Sequence, residues 1–209
     1  MKQVNKSKNV PTPRVSVLRT ARLILREWRD SDLAPFAVLN ADPRVMEHFP
    51  SLLSRAQSDE FAARVRSELA ERGFGLWALE VPGVAPFIGF TGLAVVRFDA
   101  PFTRASQQAP RSGARSEPQA SGVIEIGWRL AHEHWGRGYV PEAARAALAH
   151  AFGPLGLGEI VAFTTVGNAN SRRVMEKLGM THDPAVDFDH PDLAPGHPLR
   201  RHVLYRIQA

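Results

Sequence analysis

Two glycines two positions apart mark the segment of this sequence that is best suited to binding a ligand. The segment Trp135–Tyr139 reads WGRGY and lies between a strand-like apolar stretch and an alanine-rich, helix-like stretch. Glycine allows a tight turn and a close approach to a ligand, and amide N–H groups at the start of a helix attract anions. We therefore predict a phosphate or pyrophosphate site. Its residues are Gly136, Arg137, Gly138, Tyr139 and Val140.

Two familiar phosphate-binding loops do not fit this segment. A P-loop requires Gly-Lys followed by Ser or Thr, and those residues are missing. A dinucleotide-binding fingerprint requires a glycine three residues after Gly138, where the sequence has Pro141. The residues alone leave two interpretations open, an anion site of another kind or an ordinary turn between a strand and a helix.

Apolar spacing and turn residues define the elements that must position this segment. Predicted strands cover residues 22–28, 76–81, 86–98, 123–131, 159–166 and 201–207, and predicted helices cover 32–40, 55–72, 169–178 and a segment that starts at Pro141 and ends before Gly153. Ser54 and Gln57 form a capping box for the second helix, and Gly73 ends it. The order predicts an α/β domain around a mostly antiparallel sheet, with parallel neighbours where a helix intervenes.

The composition is that of a globular protein with an uneven charge. Of the 209 residues, 44% are hydrophobic and 22% are charged, which argues against general disorder. The net charge is +5, of which residues 1–15 carry +4 and residues 102–122 carry +2, so the remainder carries −1. Nucleic-acid binding needs a basic face on the fold, and we do not expect it here. The absence of cysteine excludes disulfides and thiolate zinc sites.

The chain is predicted to contain one domain with two unstructured segments. Residues 1–16 are polar and basic and are expected to form a flexible tail, ahead of a single domain over 17–209. Residues 102–122 lack apolar periodicity and are expected to be a disordered insertion. No apolar run is long enough to span a membrane, and none follows the basic N-terminus as in a secretory signal. We expect a cytoplasmic protein without membrane contact, as a monomer or homodimer.

Four stretches together resemble the GNAT acyltransferase superfamily, and within it the RimJ/RimL-like branch. They are LRTARLILREWRDSDL (18–33), IEIGWRLAHEHWGRGYVPEA (124–143), GLGEIVAFTTV (156–166) and NANSRRVMEKLGM (168–180). The resemblance covers about 18–207, and the stretches agree with the family in order and spacing. It implies a GNAT fold of about seven strands and about four helices. It also implies an N-acetyltransferase that uses acetyl-CoA as co-substrate, with no metal.

The resemblance assigns contacts to the pantetheine arm of the cofactor. In the family, the strand before the glycine loop separates from its neighbour, and the arm pairs with the exposed backbone as an added strand. Leu130, Ala131 and His132 should make these contacts. A backbone N–H near Arg129 or Leu130 should polarise the thioester carbonyl.

The resemblance also assigns the remaining cofactor contacts. The pyrophosphate should lie on the loop from Gly136 to Val140. Asn168 and Ser171 should meet the pantetheine and the thioester sulfur.

The implied reaction is direct attack of a neutral amine on acetyl-CoA in a ternary complex. Most amines are protonated near neutral pH, so a base or a water relay must remove a proton. Glu125 is the candidate base and Ser171 the candidate acid toward the leaving thiolate. A solvent-facing or arginine-bridging carboxylate and a helix-start hydroxyl are the alternatives. The tyrosine that many relatives use as the acid is replaced by Met175, and Glu133 replaces the Gln or Arg three residues before Gly136.

The acceptor is expected to be a primary amine on a peptide, a protein N-terminus or a small molecule. His48, Phe49 and Trp128 are the candidate acceptor-site residues. An acidic, histidine-containing segment over 187–197 could form a wall of that site or a surface loop. Its residues lack the tight spacing of metal ligands, and no metal site is predicted.

Two other functions remain compatible with the sequence. A module that binds acyl-CoA without turning it over would carry the same glycine loop. A ribosome- or RNA-associated protein would use the basic residues of the first 16 positions.

Overall fold

The computed structural model describes residues 15–108 and 122–209, and one mixed sheet runs through both parts. Its strands are β1 (Leu18–Arg19), β2 (Ile24–Arg26), β3 (Leu76–Val81), β4 (Ala85–Val95), β5 (Ile124–Leu130), β6 (Glu159–Thr165), β7 (Thr181–His182), β8 (Phe188–Asp189) and β9 (Arg201–Gln208). The spatial order is β1-β2-β3-β4-β5-β6-β9-β7, and β8 also pairs with β9. Among the strand pairs of the described ranges only β5–β6 is parallel, and a helix connects these two strands. The predicted α/β fold class is confirmed.

Helices cover both faces of the sheet. They are α1 (Leu33–Ala41), α2 (Arg55–Arg72), α3 (Pro101–Gln108), α4 (Tyr139–Phe152) and α5 (Ala169–Lys177). Phe90 of β4 contacts rings of α1 and α2, whereas Trp77 of β3 contacts His150 of α4. Phe90 pairs with Ala78, the neighbour of Trp77, so the two side chains point to opposite faces. Helices α1 and α2 therefore lie on one face, and α4 lies on the other.

Local signals place α2 and α4 as the sequence predicts, with one difference. The Ser54 hydroxyl accepts a hydrogen bond from Gln57 N, and the Gln57 side chain accepts one from Ser54 N. Gly73 ends α2 with φ of 75°. Helix α4 buries its alanine stripe but begins at Tyr139, two residues before the predicted start at Pro141. Proline is tolerated there because the first-turn amides of a helix have no intrahelical acceptor.

Two segments predicted to be unstructured contribute to the fold. Residues 101–108 form α3, and the Thr103 hydroxyl accepts from Ala100 N at its start. The predicted disorder is therefore wrong for 102–108, while 109–121 lie outside the described residues. The Ser16 carbonyl accepts a hydrogen bond from the Trp77 indole, so the predicted tail stops short of residue 16. Residues 1–14 also lie outside the described part of the chain.

A buried ion pair fastens β2 to the segment that leads into α1. Arg26 is 4% exposed and donates to the Asp32 carboxylate at 2.7 Å and to Glu80 of β3 at 2.7 Å. Asp32 is 1% exposed and also accepts from Arg29 N. Each buried charge here has its counter-charge.

Replacing Arg26 by alanine is expected to destabilise the protein by about 3–5 kcal/mol, because it leaves the Asp32 carboxylate buried without a counter-charge. Urea unfolding of the variant measures this loss. The control is Arg55→Gln, which removes the exposed pair of Arg55 with Asp59. That variant should unfold close to the wild-type midpoint, and equal midpoints for the Arg26 and Arg55 variants would contradict the prediction.

Candidate active site

Strands β5 and β6 touch at one point and then separate. Their register consists of the single pair Glu125–Val161, whereas β5 stays paired with β4 from Ile124 to Leu130. A cavity of about 1080 Å³ opens at this separation, lined by residues of both sheet halves. The separation leaves one edge of β5 without a strand partner beyond Glu125.

The open edge of β5 presents backbone amides to the cavity. Ala131 N donates to Ile88 O, so it belongs to the ladder with β4. Alternation along an antiparallel pair then directs the backbone groups of Trp128 and Leu130 away from β4. The Leu130 carbonyl already accepts from the Trp135 indole at 2.9 Å, which leaves the Leu130 amide available.

The predicted pantetheine contacts are only partly brought to this edge. Leu130 lines the cavity, whereas Ala131 and His132 do not. Ala131 uses its amide in the β4 ladder, and the His132 ring packs 4.9 Å from the Trp135 ring. Of the two amides predicted to polarise the thioester, that of Leu130 faces the open edge and that of Arg129 faces β4.

The glycine loop holds its amides free at the start of α4. Gly136 and Gly138 have φ of 74° and 77°, and Gly138 is the N-cap of α4. Within the described chain, residues 136–138 donate no loop hydrogen bond, and the first-turn amides of α4 have no intrahelical acceptor. The buried Nδ1 of His134, just before the loop, also lacks a partner there. These groups fit a diphosphate, and Arg137 is the one residue of the predicted loop that is not part of the cavity lining.

An N-terminal strap of Thr20 and Arg22 fixes the loop against α4. Arg22 donates to the Glu142 carboxylate at 2.6 Å and to the Arg137 carbonyl at 2.9 Å. The Thr20 hydroxyl donates to the same carboxylate at 2.6 Å. Sequence reasoning missed this strap, because its partners lie 115 to 122 positions apart.

Glu125 lies where β5 and β6 part, and its side chain lines the cavity. No hydrogen-bond or ion-pair partner of its carboxylate occurs among residues 15–108 and 122–209. Burial raises the pKa of Glu125 to about 7, because an ionised carboxylate is disfavoured away from water. Its carboxyl therefore changes charge in the range in which a general base has to work.

Asn168 and Ser171 both line the cavity but differ in availability. The Asn168 side chain accepts from Ser171 N at 3.1 Å and donates to Thr164 at 2.9 Å, so it is the N-cap of α5. The Ser171 hydroxyl has no hydrogen bond within the described ranges and lines the cavity. Met175, predicted to stand in the place of a family tyrosine, is 2% exposed. The structure leaves the hydroxyl of Ser171 free to donate.

The α1/α2 side of the cavity contains a buried arginine that sequence reasoning assigned no side-chain role. Arg129 is 9% exposed and donates from Nη1 to Asn40 Oδ1 at 2.6 Å. The Phe49 ring lies 4.0 Å from its guanidinium carbon, and His48 approaches Thr165 at 3.4 Å. Burial lowers the pKa of Arg129 to about 10, so it keeps its charge near neutral pH.

The three predicted acceptor residues do not share one face. Trp128 follows Gly127 and precedes Arg129 on β5, so its side chain points to the α4 face. Phe49 lies on the opposite face, against Arg129. All three predicted residues line the cavity, but only His48 and Phe49 lie on the α1/α2 side.

The acidic segment over 187–197 is occupied by contacts within the protein. Asp187 binds His182 at 2.8 Å and accepts from Leu204 N. Asp189 pairs with two arginines of the last strand region. In the described part of the chain, no group of three His, Asp or Glu side chains is arranged to hold a metal ion. His190 and Asp192 line the cavity.

A family model for the acetyltransferase (GNAT) domain matches residues 22–181, which is most of the chain. The chain belongs to the GNAT acetyltransferase family. As a GNAT acetyltransferase it is an acetyl-CoA-dependent acyltransferase. None of the helices in the described ranges is both long and apolar enough to span a membrane.

Two relatives match this GNAT acetyltransferase over most of its length. The uncharacterized protein YkkB of Bacillus subtilis is 34% identical over 172 residues, which cover 81% of this chain and 87% of YkkB. The FsC-acetyl coenzyme A-N(2)-transacetylase of Aspergillus fumigatus is 32% identical over 174 residues, covering 79% of this chain and 65% of that protein.

Solved structures confirm the GNAT fold. The structure of Mycobacterium smegmatis RimJ in complex with CoA-disulfide superposes with a TM-score of 0.65 and 18% identity, covering 93% of this chain and 87% of that one. An acetyltransferase of the GNAT family from Bacillus anthracis and an acetyltransferase from Agrobacterium tumefaciens superpose at least as well, each with a TM-score of 0.68. The fold therefore supports membership of the GNAT family but does not distinguish the RimJ/RimL branch from other branches of the family.

Proposed function

We propose that this GNAT acetyltransferase transfers the acetyl group of acetyl-CoA to a primary amine of a small molecule or a protein N-terminus in a ternary complex. The observation that carries the proposal is the unpaired carboxyl of Glu125 at the point where β5 and β6 separate. A base at that point lies beside the open edge of β5, where the cofactor binds, and faces the α1/α2 side of the sheet. It can therefore meet an amine that approaches the thioester from the α1/α2 side.

Acetyl-CoA binding uses the loop and the open edge of β5. The amides from Gly136 to Val140 hold the pyrophosphate, and the Leu130 amide pairs with the pantetheine arm, which runs from there along β5 toward Glu125. With the cofactor held in this way, the thioester carbon would lie beside Glu125, and the amine would attack it without any covalent enzyme intermediate.

The proposed reaction needs two proton transfers. Glu125 accepts a proton from the ammonium, the resulting neutral amine forms a bond from nitrogen to the acetyl carbon, and the carbon–sulfur bond breaks. Ser171 donates its proton to the departing thiolate and regains, through water, the proton that the acylated nitrogen releases, and Glu125 then returns its proton to solvent. The products are the N-acetylated acceptor and free CoA.

A screen of primary amines and N-terminal peptides for release of free CoA tests the proposal. Titration calorimetry with CoA alone separates cofactor binding from turnover. Release of CoA with at least one amine supports the acetyltransferase, whereas CoA binding without release for any amine contradicts catalysis. Absence of CoA binding contradicts the proposed cofactor site at the glycine loop and β5, and with it the proposed function.

Replacing Gly136 by alanine is expected to weaken CoA binding at least about tenfold, because a methyl group would stand in front of the free amides. The fold should tolerate the methyl group, since no atom lies within 4 Å of the position it would occupy. Calorimetric Kd values measure the effect.

The matched control for this prediction is Gly83→Ala in the turn between β3 and β4. Gly83 has φ of 73°, close to the 74° of Gly136, and it too has no atom within 4 Å of an added Cβ. Both variants therefore bear the same backbone strain of about 1 kcal/mol. Equal CoA affinities of the two variants would remove the loop from the proposed site.

A further inference from the structure

The cavity contains a buried positive charge that has no counter-charge among the described residues. Within those residues the guanidinium of Arg129 has one hydrogen bond, from Nη1 to Asn40. Its Nε is buried without an acceptor, and no carboxylate of the described chain pairs with it. The rings of Phe49, Phe61 and Phe90 surround it at 4.0, 5.7 and 5.6 Å. Aromatic faces stabilise the cation but leave its in-plane donors unused.

The chain shows how it compensates a buried arginine elsewhere. Arg26, also buried, is bound by the carboxylates of Asp32 and Glu80. Arg129 has the neutral amide of Asn40 in their place, and Asn40 is in turn held by Ser58 at 2.8 Å. Burying a charge without a partner is costly. The difference between the two arginines indicates that the partner of Arg129 is supplied from the cavity.

Arg129 and Glu125 lie on the same face of β5 with open space between them. They are four residues apart, so their side chains share the α1/α2 face and their Cα atoms are roughly 13 Å apart. Gly127 lies between them on that face, and a Cβ there would meet no atom within 4 Å. An elongated molecule can therefore lie along β5 with one end at Glu125 and the other at Arg129.

We propose that the acceptor is an amino acid-like molecule or short peptide whose carboxylate binds the guanidinium of Arg129 while its amine, several bonds away, meets Glu125. The inference rests on the proposed function, because it assigns the amine to Glu125. A monoanionic carboxylate fits best, since it neutralises one cation in an apolar aromatic setting and a dianion would leave a net charge buried. The planar guanidinium also matches the two oxygens of a carboxylate.

Binding measurements with matched acids and amides test the inference. The probes are 4-aminobutanoate, 6-aminohexanoate and 8-aminooctanoate, each compared with its primary amide by calorimetry on the CoA-loaded protein. We expect at least one acid to bind about tenfold or more tightly than its amide, as a hydrogen-bonded charge pair provides. Equal binding of every acid and its amide to the wild-type protein would overturn the inference without any variant.

Variants then assign the preference to one side chain. Arg129→Gln should abolish the acid-over-amide preference while CoA binding, measured on the same sample, shows that the protein is folded. Arg129→Lys, which keeps the charge but not the planar donors, should retain only part of the preference. Arg64→Gln, at an exposed arginine that lines the same cavity, should leave it intact. A preference that persists in Arg129→Gln would assign the carboxylate to another residue and overturn the inference.

CoA release measured with the same compounds separates this inference from the proposed function. If acids and amides are acetylated with equal kcat/KM, the acetyltransferase stands and the role of Arg129 falls. If an acid binds through Arg129 but no compound releases CoA, the carboxylate site stands and the proposed catalysis falls. Turnover that favours the acid through a lower KM supports both.

Discussion

Replacing Glu125 by glutamine is expected to lower kcat/KM for an accepted amine by about 10²–10⁴-fold, because the variant keeps the shape of the side chain but cannot take a proton. In the wild-type enzyme, kcat should rise with pH through about 7, the value to which burial raises the pKa of Glu125. The pH at which kcat rises should be the same for amines of different pKa, and the rise should be absent from Glu125→Gln. Steady-state kinetics from pH 5.5 to 9, roughly spanning this transition, measure both effects.

The stability of the same variant shows whether lost activity reflects lost structure. A pKa raised from 4.5 to about 7 in the folded state means that the wild-type protein loses stability as pH rises through that interval. Glu125→Gln should therefore be more stable than the wild type above pH 7, by about 3 kcal/mol, and equally stable below about pH 4.5. A variant that is inactive but more stable at high pH has lost chemistry and kept its fold.

A second carboxylate in the cavity provides the matched control. Glu68 lines the same space but is bound to Arg97 at 2.7 Å. Glu68→Gln should change kcat less than about threefold, and its kcat should still rise with pH near pH 7. If Glu125→Gln keeps its rate and its pH profile, the base is a water chain or another group.

Replacing Gly92 by alanine is expected to destabilise the protein by more than about 4 kcal/mol and to reduce soluble expression, because β4 lies too close to its neighbour for a side chain. Gly92 has φ of 151°, and an added Cβ would lie 2.0 Å from Gly75 O and 2.7 Å from the Trp77 ring. The contact atoms belong to backbone and to a fully buried ring, so neither can move aside. Urea unfolding, or the yield of folded protein, measures the effect.

The cross-strand partner of Gly92 is a suitable control. Gly127 on β5 pairs directly with Gly92, yet a Cβ there meets no atom within 4 Å. Gly127→Ala should stay within about 1 kcal/mol of the wild type. Similar midpoints for the two alanine variants would show that β4 can shift away from β3.

Sequence reasoning located the elements whose signals are local. The start of α2 follows from Ser54 and Gln57, and its end follows from Gly73. Each of these signals acts within one turn of the helix end that it marks. Strands β7 and β8 have only two residues each and were missed, because they exist through pairing with β9 rather than through a pattern of their own. Helix α3 was missed because its composition resembles a linker.

The same distinction holds for the site. The glycine loop could be found because its spacing lies within five consecutive residues and matches a family pattern. The side-chain role of Arg129 could not, because its partner Asn40 is 89 positions away in the chain. The carboxyl of Glu125 could be proposed from its strand, but its isolation at the separation of β5 and β6 depends on tertiary structure.

Because a single residue pair joins β5 to β6, a coenzyme bound between these strands would become part of the protein's scaffold. Strand β5 pairs with β4, and β6 with β9, over seven residue pairs each, whereas in the described chain one pair, Glu125–Val161, joins the two halves of the sheet at the seam between β5 and β6. A ligand that pairs with the Leu130 amide would bridge this seam, and saturation at 100 times its Kd would add about 2.7 kcal/mol to the free energy of unfolding. The heat tolerance of this enzyme would then follow the concentration of coenzyme A around it, and starvation for the coenzyme would make it easier to degrade.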